Sequence, residues 1–354
     1  MQTLIKKYDV QNIFEVIKNF PSQLEQSIEI GKSIIIKNID KSKIKNIVVT
    51  GLGGSAIGGD LVKLYTKDTL PIPLIVNRDY FLPKFVNQNT LVIISSYSGN
   101  TEETNSAHED AIKKGAQVIC ISTGGRVKEL ADINNQTMVI VPAGYQPRFA
   151  LGFMFFAQLY ILIKLGLLQE APNDINETIA LMKSRGKEYA DYSTENNAVR
   201  LAENIKGKFA FIYTTPNTEI IGVRWKGQLN ENSKAILSAH TLPELNHNEI
   251  VAWTKDGGLS DILSSSLVIF LKDKNDFDRI TYRMKITKEI FGNLNKNIIE
   301  FEGCGSAYLA RMFDLLYLID WTSLYLAMLN AVDPSEIKNI IHLKEKLSQY
   351  KSIN

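Results

Sequence analysis

Residues 47–61 read I-V-V-T-G-L-G-G-S-A-I-G-G-D-L, from Ile47 to Leu61. Three β-branched residues, Ile47, Val48 and Val49, predict a short buried strand, and a helix is expected to start near Ser55 or Ala56. Between them, Gly51, Gly53 and Gly54 allow positive φ and close approach of the backbone to a ligand. The unpaired N–H groups and the dipole of the following helix form an anion site, to which Ser55 adds a hydroxyl. These are the parts of a phosphate cradle. Two other readings compete: a tight turn without a ligand, and a dinucleotide site. Gly51-x-Gly53-x-x-Ala56 approximates the dinucleotide fingerprint, with Asp79 as its ribose acid. Arg78 beside that aspartate, and the loop that comes next, favour a different ligand.

That loop follows a second strand, Leu91–Ile94, and reads S-S-Y-S-G-N-T-E-E-T over Ser95 to Thr104. Ser96, Ser98 and Thr101 place three hydroxyls within six residues, Gly99 lets the loop curl, and Thr101 or Asn100 is expected to cap a helix from Glu102. Hydroxyls with helix N–H groups suit a phosphate monoester, whose oxygens accept from every direction. A single such loop reads as an ordinary cap. Two of them after strands of one sheet point to phosphate. No Walker lysine follows either loop, which argues against a nucleoside triphosphate.

Outward from these loops, strands are expected at Leu74–Val76, Gln117–Ser122 and Thr137–Val141, with helices at Ala56–Tyr65, Glu102–Lys114 and Arg126–Ile133. Such alternation implies an α/β fold with a parallel sheet covered on both faces. Upstream, Asn12 to Ile34 has helical spacing interrupted by Pro21. Downstream, an apolar helix is expected over Phe149–Leu165, and a polar helical stretch to about Asn204 reads as a connection. A second alternation has strands at Phe209–Tyr213, Ser265–Leu271 and Asn297–Phe301, and helices at Glu219–Leu229, Asp276–Phe291 and Ala307–Leu329. Asp333-Pro334-Ser335 is expected to open a last helix to Tyr350. The domains expected are 1–170, a helical linker 171–204, and 205–354.

The 354 residues are enough for two cores, and 45% hydrophobic with 22% charged residues is ordinary for a globular chain. A formal net charge of +2 gives no reason to expect nucleic acid or a membrane surface as partner. The apolar runs Phe153–Leu168 and Leu315–Leu329 carry Gln158, Lys164, Asp320 and Thr322, and read as core helices too short and polar to span a bilayer. Cys120 sits in an apolar run and reads as a core residue; Cys304 lies between two glycines. Two cysteines and no signal peptide fit the cytoplasm. No metal and no cofactor are expected, since no His/Glu/Asp cluster has ligand spacing.

G-L-G-G-S-A-I-G-G-D together with S-Y-S-G-N-T-E-E-T resembles a sugar isomerase (SIS) domain. The segments P-R-F-A-L-G (147–152), R-W-K-G-Q-L-N-E (224–231) and P-E-L-N-H-N-E (243–249) narrow the resemblance to the bifunctional phosphoglucose/phosphomannose isomerases, over nearly the whole chain. It implies two SIS domains, with Gly54, Ser55, Ser96, Ser98 and Thr101 holding a sugar phosphate. It also implies a homodimer in which a histidine from the neighbouring chain completes each site. The long apolar helices at 149–165 and 307–329 offer surface for such a partner.

Interconverting an aldose and a ketose phosphate requires ring opening, proton transfer between C2 and C1, and a cation near the enediolate. Alone, Glu231 reads as a solvated carboxylate at a helix end; the resemblance makes it the base. His247 follows by sixteen residues, the spacing of the family motif, and the resemblance gives it ring opening. His108 and His342 read as helix-surface residues, and His240 belongs to no motif. Arg148 would stabilise the enediolate. Lys344 would assist at the ring oxygen, with Lys346 close by as a competitor. Glu244 rivals Glu231 on chemistry, but its Pro-flanked loop favours a structural role. The substrates implied are glucose 6-phosphate, mannose 6-phosphate and fructose 6-phosphate. Two rivals are a non-catalytic phosphosugar-binding regulator and a glucosamine-forming transferase. The first leaves Glu231 and His247 without a purpose. Gln2 at the second position denies the other its N-terminal cysteine.

Overall fold

A computed structural model of the chain describes residues 1–191 and 196–350. The chain forms two compact units, each discontinuous in sequence. The N-terminal unit holds Lys18–Gly186 with Gly303–Asp314; the C-terminal unit holds Met1–Ile17, Lys187–Glu302 and Leu315–Asn354. The expected split at 170 and 205 is linear, whereas short pieces of the observed units are exchanged along the chain. Within the expected connection, helices run over Pro172–Ala190 and Asn197–Ile205, and residues 192–195 lie outside the described residues.

In the N-terminal unit, strands β1 (Asn46–Thr50), β2 (Leu74–Asn77), β3 (Thr90–Ser95), β4 (Gln117–Ser122) and β5 (Thr137–Ile140) form one parallel sheet in the order β2-β1-β3-β4-β5. The β-branched runs of β1 and β3 are buried along their length, as a sheet covered on both faces requires. Helices Gly53–Thr66, Glu102–Lys113 and Gly125–Ile133 follow β1, β3 and β4. Pro21 sits in the first turn of the helix Phe20–Ser33, where its missing N–H costs nothing, so it starts that helix. The segment Gly303–Asp314 returns to this unit. Phe313 packs on Phe20, Phe155 and Phe156 with centroids 6.2, 5.2 and 5.9 Å away, and Asp314 takes Arg185 Nε at 2.7 Å.

In the C-terminal unit, β6 (Ala210–Thr214), β7 (Leu237–Thr241), β8 (Leu267–Lys272) and β9 (Ile298–Glu302) form a second parallel sheet in the order β7-β6-β8-β9. Strand β7 lies where no strand was expected. It reads Leu-Ser-Ala-His-Thr, an edge strand without the apolar run that marks the others. The helix expected from Asp333-Pro334-Ser335 starts later, at Lys338, because Asp333 Oδ1 accepts from Ser335 N at 2.8 Å and closes a turn there. The helix Glu219–Ser233 is fastened to the latter part of the helix Tyr308–Leu329. Trp225 Nε1 donates to the carbonyl of Leu315 (2.9 Å), and Arg224 and Gln228 both reach the Asp320 carboxylate. Burial raises the Asp320 carboxyl's pKa, opposed by the Arg224 charge and by its hydrogen bonds.

The helix Tyr308–Leu329 has 22 residues and is long and apolar enough to cross a membrane by length and composition, contrary to the expectation from its sequence. Its apolar window is 94% buried inside the protein, which makes it a core helix. The helix Leu151–Lys164 is also almost wholly buried. Neither helix offers the surface for a second copy that its composition suggested.

Candidate active site

The two hydroxyl loops meet because β1 and β3 pair in register, Thr50 opposite Ile94. Gly51 and Ser95 then leave the sheet side by side, and a Cβ on Gly51 would stand 2.4 Å from the carbonyl oxygen of Ser95. Of the three loop glycines only Gly53, at φ 50°, uses the left-handed region; Gly51 and Gly54 are required for close approach. Ser95 Oγ donates to the carbonyl of Ser55 (3.0 Å), and Ser55 Oγ accepts the N–H of Tyr97 (2.9 Å). Ser55 is buried and its hydroxyl proton remains available to a ligand oxygen.

Within the second loop, Ser96 Oγ donates to Thr101 Oγ1 (3.3 Å) and accepts the N–H of Gly99 (3.2 Å). Thr101 is the N-cap of Glu102–Lys113, yet its side chain makes no cap bond. Its hydroxyl turns to Ser96 instead, leaving the first-turn N–H groups of that helix for an anion. Ser98 is exposed, and its Oγ accepts only the local N–H of Asn100 among the bonds described (3.3 Å). Ser55 is thus bonded to Ser95 and Tyr97 of the second loop, Ser96 is bonded to Thr101 within that loop, and Ser98 is exposed beside them.

Arg148 belongs to the same unit. It lies in the short 3₁₀ turn Pro147–Phe149, is 4% exposed, and stacks its guanidinium over the Phe149 ring at 5.1 Å. Gly54 explains why this turn stands against the first loop: a Cβ there would lie 2.5 Å from the Pro147 oxygen and 3.0 Å from the Arg148 nitrogen. From the other side the buried Gln23 amide donates to the carbonyl of Phe149 (2.8 Å) and accepts the N–H of Gly152 (3.0 Å). Gly54, expected as a phosphate contact, is equally the seat of the arginine turn.

In the C-terminal unit, Glu231 lies in the last turn of Glu219–Ser233 and is half-buried. Lys234, left-handed at φ 56°, ends that helix, and its ammonium donates to the carbonyls of Glu231, Asp333 and Glu336 at 2.8–2.9 Å. Five residues around Glu231, Arg224, Trp225 and Gln228 within the motif and Asn232 and Ser233 just after it, make side-chain bonds that fasten the helix. His247 is exposed in the turn Glu244–His247, held by buried Leu245 and by Asn246 Nδ2 donating to Thr287 Oγ1 (2.9 Å). Glu244 Oε1 accepts from Asn248 Nδ2 at 2.9 Å, a bond that closes the loop around His247. Lys344 and Lys346 both stand on the exposed helix Lys338–Gln349, two residues apart and so on different faces.

One histidine differs from its sequence reading, and a second, which belongs to no motif, has partners that the sequence did not indicate. His108 is fully buried, and its Nε2 meets Gln136 Oε1 at 2.7 Å and Cys120 Sγ at 3.7 Å. Burial lowers its pKa. His240 joins a relay on β7: Ser238 Oγ lies 2.5 Å from its Nε2, Glu249 Oε2 lies 3.2 Å from its Nδ1, and Tyr213 donates to Glu249 Oε1 at 2.6 Å. The alternation of a strand, which puts Ser238 and His240 on one face, was the missing signal. Among the described residues no group of three or more His, Cys, Asp or Glu is placed to hold a metal ion.

Residues 42–143 match the SIS domain family, and residues 194–347 match the family described as bacterial phospho-glucose isomerase C-terminal SIS domain. A bifunctional phosphoglucose/phosphomannose isomerase from Caldicellulosiruptor bescii is 43% identical over 96% of this chain and 100% of its own length. The chain belongs to that family. Its relative of the same description from Aquifex aeolicus is 35% identical over 96% of this chain and 100% of its own. The fold is shared more widely. Glucosamine-6-phosphate deaminase from Thermotoga maritima superposes with a TM-score of 0.66 at 13% identity, covering 92% of this chain and 96% of that one.

Proposed function

We propose that this protein interconverts glucose 6-phosphate, and mannose 6-phosphate, with fructose 6-phosphate through an enediolate. The observation that carries the reading is the interlocked hydroxyl cradle of Ser55, Ser96 and Thr101 in a chain of the isomerase family. Ser55, Ser96, Ser98, Thr101 and the helix N–H groups bind the sugar phosphate, with Gly54 keeping the backbone close. Glu231 moves the proton between C2 and C1, Arg148 stabilises the enediolate, His247 opens the ring, and Lys344 assists at the ring oxygen. The working division is an N-terminal SIS domain for phosphate, a helical linker, and a C-terminal SIS-type domain for acid–base chemistry. A coupled assay with glucose 6-phosphate and mannose 6-phosphate, with and without EDTA, tests it. Turnover of both, unchanged by EDTA, is expected; binding without turnover would favour the regulator.

The finer reading is a cytoplasmic homodimer with shared sites. Both cysteines are free thiols, which suits a reducing compartment. The helix Lys338–Gln349 leaves Ile340, Ile341, Leu343 and Leu347 between 39% and 58% exposed, an apolar face that a second copy would cover. Mixing Glu231→Gln with His247→Ala protein checks the sharing. If the two residues come from different subunits, random reassociation restores roughly a quarter of the sites. If they come from one subunit, confirmed exchange restores none.

A further inference from the structure

Tyr97 stands between two candidate phosphate hydroxyls, Ser96 and Ser98, yet its side chain turns inward and the residue is 5% exposed. Its backbone N–H donates to Ser55 Oγ at 2.9 Å. Its phenol donates to the carbonyl of Pro142 at 2.8 Å and accepts the N–H of Tyr145 at 3.0 Å. Burial raises the phenol's pKa, so it keeps the proton that it donates. Pro142 and Tyr145 belong to the segment that leads from β5 into the Pro147–Phe149 turn, and therefore to Arg148. One residue joins the first loop, the second loop and the approach to the arginine turn.

Filling space would need only the ring. A hydroxyl that donates to one end of a short loop and accepts from the other also sets the loop's position. In a sugar 6-phosphate, the distance from phosphorus to C1 and C2 is limited by the covalent chain, so cradle and cation must be held at a matching separation. A misplacement of about 1 Å can cost on the order of 10²-fold in rate. We propose that Tyr97 is a positioning residue for the isomerase reaction, whose hydroxyl sets Arg148 relative to the phosphate cradle. The inference rests on the reading of Arg148 as the cation that faces the enediolate.

The test uses the full-length protein with Tyr97→Phe, which keeps the ring and removes both hydroxyl bonds. Amide hydrogen exchange in the substrate-free protein should rise in the segment 143–150 and stay unchanged in β1 and β3. The kcat for fructose 6-phosphate should fall about tenfold, with KM within twofold. In an Arg148→Lys background the same change should cost less than twofold, because residues acting through one another are not additive. Unchanged exchange in 143–150 would overturn the proposal, as would unchanged kinetics, a raised KM with normal kcat, or an additive loss with Arg148→Lys. A general loss of folding would show as faster exchange in β1 and β3, and would make Tyr97 a core residue and refute the specific role. If Arg148→Lys itself stayed fully active, the reading of Arg148 would fail instead, whatever the exchange data showed for Tyr97.

Discussion

In the N-terminal unit the candidate residues are bonded to one another: Ser55 to Tyr97, Ser96 to Thr101, Gly54 against Pro147 and Arg148. In the C-terminal unit Glu231 and His247 are fastened through their neighbours, and Glu231, His247 and Lys344 stand on three elements, the first half-buried and the other two exposed. A phosphate is a fixed charge that is held unchanged, so a cradle formed in advance serves it. A group that moves protons must reach changing positions, and a firmly held backbone with a freer side chain suits that task. The contrast predicts that substitutions in the two units separate binding from turnover.

The largest effect is expected at Glu231. Glu231→Gln preserves shape and removes the proton carrier, so kcat should fall about 10² or more with KM little changed. Glu244→Gln, which loses only the loop bond to Asn248, should stay within a few-fold. Equal losses in the two variants would identify the wrong base. In the opposite unit, Ser98→Ala with Thr101→Ala should raise KM for fructose 6-phosphate, at about 1–3 kcal/mol for each charged hydrogen bond lost, and leave kcat nearly intact. Free fructose should bind poorly to the parent protein. Equal affinity for fructose and its 6-phosphate, measured by calorimetry, would remove the cradle from the phosphate.

The smallest effect is one of stability. His108 is buried among Cys120, Gln136 and the helix Glu102–Lys113, with Glu109 and Arg126 as the charges that act on it, and burial lowers its pKa. The unfolded chain binds that proton more readily, near pH 6.5. His108 should therefore contribute its full stability above about pH 6.5 and lose it as pH falls towards the lower folded value. Melting temperatures from pH 8 to pH 5 should drop for the parent and drop less for His108→Gln. Parallel curves would remove His108 as the cause.

The sheet strands are legible where apolar runs are long: the strand expected at Gln117–Ser122 matches to the residue, and those at β1 and β3 to within one at each end. Strand β7 escaped because it is a polar edge, and with it went the His240 relay. His108 lies on the inner face of its helix with Thr104, Ala107 and Ala111, small residues that mark that face only weakly in sequence; only the fold shows that Gln136 receives it. The hydroxyl loops showed which residue types gather, but not that Thr101 would abandon its cap for Ser96, or that Gly54 would seat Arg148. Those depend on contacts between segments that are far apart in sequence. Glu231 and His247 were marked by their resemblance to a family motif, since a lone half-exposed carboxylate and an exposed histidine carry no signal of their own.

The exchange of short segments between the units has a consequence for synthesis on the ribosome. When residue 186 has emerged, all five strands of the first sheet are present, but Phe313 and Asp314 are still more than a hundred residues away. Phe20, Phe155 and Phe156 then lack one of their ring partners, and Arg185 lacks its carboxylate. The nascent first half must wait with an open aromatic flank, the kind of surface that chaperones bind. A fragment cut at residue 186 would carry the same opening permanently, so the first half cannot be taken for a portable module.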